Sequence, residues 1–251
     1  MKWTKEAEEA VSRVPFFVRK KVRKRVEELA ATSGAAVVRM DHVKSCREQF
    51  LSNMESQVKG HQIETCFGGG GCPNRAVETH WVEKLEEMLA RKNLKVFLKE
   101  RVQGPLKMHH EFRISISDCP NACSRPQIAD IGIIGARRPR VVSGACTRCG
   151  ACMEVCREKA MVLSDSHDDP FLDMDRCIAC GQCINVCPSG ALQEAERGYR
   201  ILLGGKLGRH PRLAKELEGI YSTEETLQKV EQCLDHHMKH NRGGERFGDL
   251  L

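Results

Sequence analysis

Apolar residues recur at helical spacing over much of the chain. Behind Pro15, which suits the start of a helix, Val18, Val22, Val26 and Leu29 lie on one side, and Gly34 suits the end. A second helix is expected from Asp41, whose side chain can cap it, to Phe50. Val77, Trp81, Leu85, Met88 and Leu89 mark an amphipathic helix over residues 76–98. Leu213 and Leu217 point to another helix after the glycines of GGKLGRHPRLAKEL, and Ser222 caps a last one carrying Leu227, Val230 and Leu234. Elsewhere the period is two. Phe112, Ile114 and Ile116 alternate with polar residues as in a half-buried strand, and a second strand reads from Ile128 through Ile134 into Gly135. The residues after His240 have no such period and suit a flexible or partner-docked tail.

One stretch is organised by cysteine instead. CTRCGACMEVC, beginning at Cys146, and CIACGQCINVCP, beginning at Cys177, each read Cys-x2-Cys-x2-Cys-x3-Cys, the bacterial-type ligand run for a 4Fe-4S cluster. Three thiolates on a tight loop reach one cubane, and the fourth opens toward the other. Cys146, Cys149, Cys152 and Cys187 are therefore expected to hold one cluster, and Cys156, Cys177, Cys180 and Cys183 a second. Gly150 and Gly181 stand where backbone must pass close to inorganic sulfur. Disulfides or zinc suit the spacing less well, because zinc sites pair two Cys-x2-Cys knuckles instead of tripling the spacing. Residues 142–195 are expected to form this tandem ferredoxin module.

At 251 residues the chain is longer than a bare ferredoxin and can bury a sizeable core. MKWTKEAEEA has no apolar signal core, so fourteen cysteines point to a reducing cytoplasm and not to a disulfide scaffold. No stretch approaches the roughly 20 apolar residues that span a bilayer. The formal charge of +6 would be offset by clusters that each bring about −2 with their thiolates. That and an aromatic content of 5% argue against nucleic-acid binding. Arg19, Lys20, Lys21, Arg23, Lys24 and Arg25 read as a solvated helix face or as a docking surface for an acidic partner such as a ferredoxin or flavodoxin.

A third set of cysteines lies outside the tandem run. ETCFGGGGCPNRA brings Cys66 and Cys72 with four consecutive glycines, and HEFRISISDCPNACSRPQIADIGIIG delivers Cys119 and Cys123 at the end of a strand. A loop so rich in glycine lets backbone approach a cluster or a large cofactor. Buried inert cysteines are the bland reading of the same four. Cys46 and Cys233 have no partner at ligand spacing, His80 reads as a partly exposed residue, and His236 and His240 read as a solvated helix end.

TCFGGGGC, ISISDCPNACSRPQIADIGIIG and YRILLGGKLGRHPRLAKEL together resemble the siroheme-binding half of sulfite and nitrite reductases, including dissimilatory sulfite reductase. The resemblance covers residues 60–140 and 198–248, with the ferredoxin inserted between them. WTKEAEEAVSRVPFFVRKKVRKRVEELA, within residues 1–50, resembles the small helical module of light-independent protochlorophyllide reductase. These resemblances imply an α/β (α+β) chain with three 4Fe-4S clusters. They imply that Cys66, Cys72, Cys119 and Cys123 hold the third cluster, and that Cys123 also bridges to siroheme iron. Asn121 would lie beside the macrocycle, and the loop from Gly204 and Gly205 to Arg209 would approach its carboxylates. Arg137, Arg138, Arg140, Lys206, Arg209 and Arg212 are candidates to bind the oxygens of a small inorganic anion and to relay protons.

The family usually places a ferredoxin-like half-domain before the first cysteine pair, and no counterpart is legible in residues 1–60. Either an additional subunit completes the pocket in an oligomer or redox complex, or siroheme is lost and the chain is a three-cluster electron-transfer subunit. A regulatory redox sensor would need an effector-binding element that the sequence does not display.

Overall fold

The computed structural model describes residues 1–165 and 167–251. The chain divides into two compact units, Met1–Val58 with Gln103–His109, and Lys59–Val102 with His110–Leu251.

In the first unit, β1 (Lys2–Trp3) and β2 (Val37–Val38) pair in parallel beside α1 (Lys5–Ser12), α2 (Phe16–Thr32) and α3 (Met40–Gln57). Its core is small: Ala7, Val26, Ala30 and Val38, with Trp3, Val22, Val43 and Cys46 packed around them. Pro15, in an extended conformation, stands at the N-cap of α2. Asp41 is not the cap of α3. Arg39 holds that position, its N–H donating to His42 Nδ1 at 3.0 Å, while Asp41 sits in the first turn and complements the helix dipole. Much of the basic run on α2 is engaged locally. Arg19 caps the carbonyls of Ser12 and Val14, Arg23 lies over Trp3 and pairs with Glu8, and Arg25 lies over Phe50.

The second unit is a mixed α/β fold built on one five-stranded sheet. Its order is β3 (His61–Thr65), β4 (Phe112–Ser117), β5 (Ile131–Val141), β8 (Leu192–Leu203) and β9 (Lys215–Glu216). The first three strands are parallel; β8 and β9 are antiparallel to their neighbours. Alternation gives the sheet two different faces. Phe112, Ile114, Ile116, Ile131, Ile133, Tyr199 and Ile201 face a core shared with α4 (Val82–Arg91), the start of α5 (Leu94–Arg101) and α8 (Thr223–His240). The other face carries a small apolar cluster of Ala122, Ile134 and Leu202. Gly132 is needed there, because a Cβ would lie 2.2 Å from the Pro126 carbonyl oxygen, whereas Gly135 is on the core face beside Val77, where a Cβ would lie 2.4 Å from the Asp118 carbonyl oxygen. The turn after β4 and the short 3-10 helix Pro126–Ile128 lie against this other face.

Several expectations change with tertiary context. The helix expected over residues 76–98 is two helices, broken where Asn93 adopts the left-handed region at φ 49°. Leu213 and Leu217 are not on a helix. Pro211 lacks the N–H a helix would need, and Lys206 and Arg212 exchange backbone hydrogen bonds at 2.9 Å across a tight loop before β9. The tail is docked on its own chain: Phe247 is 1% exposed within the core, and Arg246 pairs with the buried Asp130. β8 was not among the expected strands, and its first half is charged. Those charges meet β5 across the ribbon, Arg137 with Glu194 and Arg138 with Glu196.

At the far end of the β5–β8 ribbon Val142 N–H donates to the Ala191 carbonyl at 2.8 Å, and residues 142–191 form a head beyond it. It contains α6 (Ala151–Val155), β6 (Met161–Val162), β7 (Phe171–Leu172) and α7 (Gln182–Val186). Its halves repeat the same backbone. Arg148 and Ala179 both have φ 55°, Gly150 and Gly181 follow at 80° and 72°, and a cysteine ends each short helix.

Candidate iron-sulfur site

Three sets of cysteines gather at the C-terminal edge of the parallel strands and in the head beyond it. β3 ends into Cys66, whose Sγ accepts the N–H groups of Gly68 and Asp118, each at 3.3 Å. β4 ends into Asp118 and Cys119. The turn that follows is tied down by buried hydroxyls: Ser115 Oγ donates to the Ser124 carbonyl at 2.6 Å, and the Ser117 and Ser124 hydroxyls are 2.7 Å apart. Gly68 must lack a Cβ, which would lie 2.2 Å from the Asp118 carboxylate. Burial pushes the Cys119 thiol up, and the sulfurs of Cys123, Cys66 and Cys72 push it further against the Asn121 N–H. All four sulfurs therefore share one electrostatic neighbourhood. Cys119 is buried and Cys123 is exposed.

In the head, Cys146, Cys149, Cys152 and Cys187 line one cavity with Gly150, Leu163 and Pro170. Cys156, Cys177, Cys180 and Cys183 line another, of about 140 Å³. Burial, then the sulfurs of Cys180, Cys177, Cys156 and Cys152, push the Cys183 thiol up to about 12. Thiols that raise one another in this way are stabilised as thiolates when cations enter among them. Backbone donors already aim at sulfur, with Arg148 N–H on Cys146 and Ala160 N–H on Cys156, both at 3.3 Å. Burial opposes ionisation of Cys187, yet the N–H groups of Leu192, Ser189 and Ala191 and the Ser189 hydroxyl together hold its thiol below the ordinary value. Among the described residues no three His, Cys, Asp or Glu side chains close on a single metal ion. The triple spacing in each half of the head suits a polynuclear cluster better than one tetrahedral zinc.

The larger cavity is shared. Its wall includes Cys119, Pro120 and Asn121 from the turn after β4, Asn74 from the glycine loop, and Pro139 of β5. Pro139 stands at a β-bulge, where a residue without an N–H costs the ribbon no hydrogen bond.

The basic candidates are dispersed. Arg137 forms a backbone bridge to Cys180, and its guanidinium engages Glu194 and Asn185. Arg138 pairs with Glu196 and draws down the Cys177 thiol that burial raises. Arg140 donates to Gln193 at 3.0 Å, Lys206 pairs with Asp249, and Arg212 holds the carbonyls of Gly204 and Gly248. Arg209 alone of the six has no hydrogen bond or ion pair among the described residues. Gly204 and Gly205 are required by the fold itself, Gly204 by its left-handed φ of 79° and Gly205 because an added Cβ would lie 2.5 Å from the Gln127 carbonyl oxygen. Reading the sequence missed Arg200, which donates to the Ile178 carbonyl beside Cys177 while pairing with Glu216, and it missed the serine network. Ser115 and Ser117 gave a misleading signal, since alternation assigns them to solvent and both are buried.

Comparison with known proteins agrees with this architecture. Residues 60–251 match the sequence model of the nitrite and sulphite reductase 4Fe-4S domain, and residues 3–47 that of the proto-chlorophyllide reductase 57 kD subunit. The chain is 36% identical over 173 residues to coenzyme F420-dependent sulfite reductase of Methanocaldococcus jannaschii, covering 67% of this chain and 25% of that protein. It is 26% identical over 137 residues to a subunit of the anaerobic sulfite reductase of Salmonella typhimurium, covering 49% and 36%. Over 48 residues it is 50% identical to a subunit of the light-independent protochlorophyllide reductase of Pelodictyon phaeoclathratiforme, covering 19% and 9%. The chain thus spans about a third or less of the length of each of these relatives.

Proposed function

Because the chain belongs to the nitrite and sulphite reductase 4Fe-4S domain family, we propose that it is an iron-sulfur oxidoreductase that carries electrons to a centre on Cys66, Cys72, Cys119 and Cys123, where sulfite or nitrite is reduced. The observation that carries this reading is the cavity lined both by Cys156, Cys177, Cys180 and Cys183 and by Cys119, Pro120 and Asn121. It gives the centres an order. Cys146, Cys149, Cys152 and Cys187 hold an outer 4Fe-4S cluster, the Cys156 set holds a middle one, and the Cys66 set holds the inner one. The residues fit such groups: each set converges on one space or one electrostatic neighbourhood, with N–H donors aimed at its sulfurs. Clusters in series supply one-electron steps, and the protein fixes their sequence and tunes their potentials.

The inner set also fits one face of a siroheme. Cys123 is open where Cys119 is buried, and Phe67 beside Cys66 is 89% exposed. A Cβ added at Gly70 would meet nothing among the described residues within 4 Å, so the backbone there is open to a bound group. Cys123 and Asn121 would help to hold it there. Siroheme would supply an iron that takes the anion and spreads a multi-electron reduction over two coupled centres. Arg209, with no internal partner, is the side chain best able to bind the anion's oxygens, and Lys206 stays oriented by Asp249. Arg137 and Arg138 hold the loop of the middle cluster. The open face around Cys123 and Phe67 is where a further subunit or a second copy would cover the cofactor.

A second reading, a three-cluster electron-transfer subunit without siroheme, is favoured by the engagement of five of the six basic candidates within the chain. Anaerobic purification separates the two. The reductase reading expects about thirteen irons, twelve in the clusters and one in siroheme, siroheme absorption bands and turnover of sulfite or nitrite. Cys123→Ser should abolish the bands and turnover while the paramagnetic signals of the outer and middle clusters persist. About twelve irons with no siroheme band would establish the second reading instead.

A further inference from the structure

The head differs in charge from the rest of the chain. Residues 142–191 hold seven carboxylates against four Lys and Arg, a net −3, while the remainder carries +9. Clusters bound there would make it more negative still. Within the head lies an apolar face that none of the described residues covers. β6 and β7 pair as Met161 with Leu172 and Val162 with Phe171. Alternation turns Met161 and Leu172 inward, where both line the cavity of the middle cysteine set. Val162 and Phe171 are left outside, 45% and 66% exposed. The next residue along each strand, Leu163 and Pro170, lines the cavity of the outer set together with Cys149 and Gly150. Met153 joins them: its Sδ accepts the Leu163 N–H at 3.4 Å, its methyl lies 4.0 Å from the Cβ position of Gly150, and it is 39% exposed. Cys149, exposed itself, lines the same cavity as Leu163 and Pro170. Glu154, next to Met153 in the chain, and Asp168, two residues before Pro170 in the hairpin loop, are exposed, and Arg148 holds the Ser164 and His167 carbonyls of that loop.

We propose that the outer face of the β6–β7 hairpin, Val162 and Phe171 with Met153 beside Cys149, is the docking surface for a one-electron redox protein whose apolar contact is ringed by basic residues, and that electrons enter the chain there. The inference rests on the reading of the Cys146 set as a cluster site. Two features select this occupant. An apolar centre set in charged surroundings is the anatomy of a transient protein interface, and the head as a whole is net negative, so the partner's rim must be basic. The position beside Cys149 explains why such a partner would dock here, since electron transfer needs the two centres close. One electron leaves the partner, which is oxidised, and reduces the group held by Cys146, Cys149, Cys152 and Cys187; no bond forms or breaks.

The probe is mitochondrial cytochrome c, a basic redox protein with an exposed haem edge, added to the anaerobic holoprotein. Calorimetric affinity is measured on the protein as isolated, and the rate of cytochrome reduction on protein whose clusters have first been reduced with dithionite and freed of the excess, each cluster giving up one electron per cytochrome reduced. At low salt Phe171→Ser with Val162→Ser is expected to weaken binding and slow reduction by about tenfold. Glu154→Gln with Asp168→Asn should remove most of the salt dependence. Reduction of a small neutral quinone should be unchanged in both variants. Wild-type affinity and rate in both variants, with iron content intact, overturns the docking surface alone. Loss of the outer cluster's iron and signal in the wild type overturns the cluster reading beneath it. Self-association of the wild-type chain that the Phe171→Ser and Val162→Ser pair abolishes would make the face an interface between copies, and also overturns the proposal.

Discussion

Arg137 and Cys180 are joined by a parallel backbone bridge, with Arg137 N–H donating to the Ala179 carbonyl at 2.7 Å. Through this contact a strand of the central sheet grips the loop carrying the middle cysteines. The head is held by its ribbon and also by a lateral clasp close to the cavity shared with Cys119.

The clasp separates two glycines that the sequence makes look equivalent. Gly181 has φ 72°, and a Cβ there would lie 2.9 Å from Arg137 Cδ; Gly150 has φ 80°, and its nearest neighbour would be Met153 Cε at 4.0 Å. Alanine at either position bears the left-handed penalty of about 1–2 kcal/mol. Only Gly181→Ala must also displace the clasp. It is expected to lose iron from the middle set and to unfold at lower temperature than Gly150→Ala, as judged by iron content and thermal melts. Equal behaviour of the two variants would dismiss the clasp.

Arg138 draws on the Cys177 thiolate from across its pairing with Glu196. A positive charge beside a cluster favours its reduced form. Arg138→Gln should therefore lower the potential of the middle cluster by about 20–50 mV, corresponding to about 0.5–1 kcal/mol for one electron. A redox titration followed by electron paramagnetic resonance would read this, with the outer cluster's signal as the internal reference.

His237 sits among Phe97, Phe112 and Phe247, and burial, then the charges of Arg246 and His236 against that of Glu245, lower its pKa to about 4. A histidine kept neutral by folding takes up its proton more readily when unfolded. Its contribution to stability is complete above about pH 6.5 and is lost as pH falls toward 4, amounting to about 3 kcal/mol at most. His237→Phe is expected to flatten the stability curve between pH 6.5 and 5 in urea titrations, and an unchanged slope would show that another group governs it.

Trp81 Nε1 donates to the Tyr199 hydroxyl at 2.8 Å in the core, with the rings edge to face at 5.2 Å. Thr79, whose hydroxyl also reaches this oxygen, binds the Asp118 carboxylate at 2.7 Å. Tyr199→Phe strands a buried indole N–H, at a cost of about 1–3 kcal/mol. Lower urea midpoints with an unchanged urea dependence are expected. The effect should extend to iron retention by the inner set, because Asp118 supplies an N–H to Cys66.

The sequence by itself determined what depends on local order. The triple cysteine spacing, the glycines at left-handed positions, Pro15 at the start of α2, the Ser222 cap and the alternation in β4 are relations between residues a few positions apart, and the backbone has few ways to satisfy them. Only the tertiary structure decided what depends on distant partners. β8 begins as a charged segment and becomes a strand because Arg137 and Arg138 neutralise Glu194 and Glu196 across the ribbon. Ser115 and Ser117 alternate like solvent residues yet are buried, because Ser124, folding back from the cysteine turn, meets their hydroxyls. The tail after His240 lacks apolar periodicity, and a single Phe247 with the Arg246–Asp130 pair is enough to dock it. The cavity that brings Cys119 to the middle cysteine set is of the same kind. It joins positions about sixty residues apart, and its shape comes from the bulge at Pro139 and the clasp at Arg137, which no local pattern encodes.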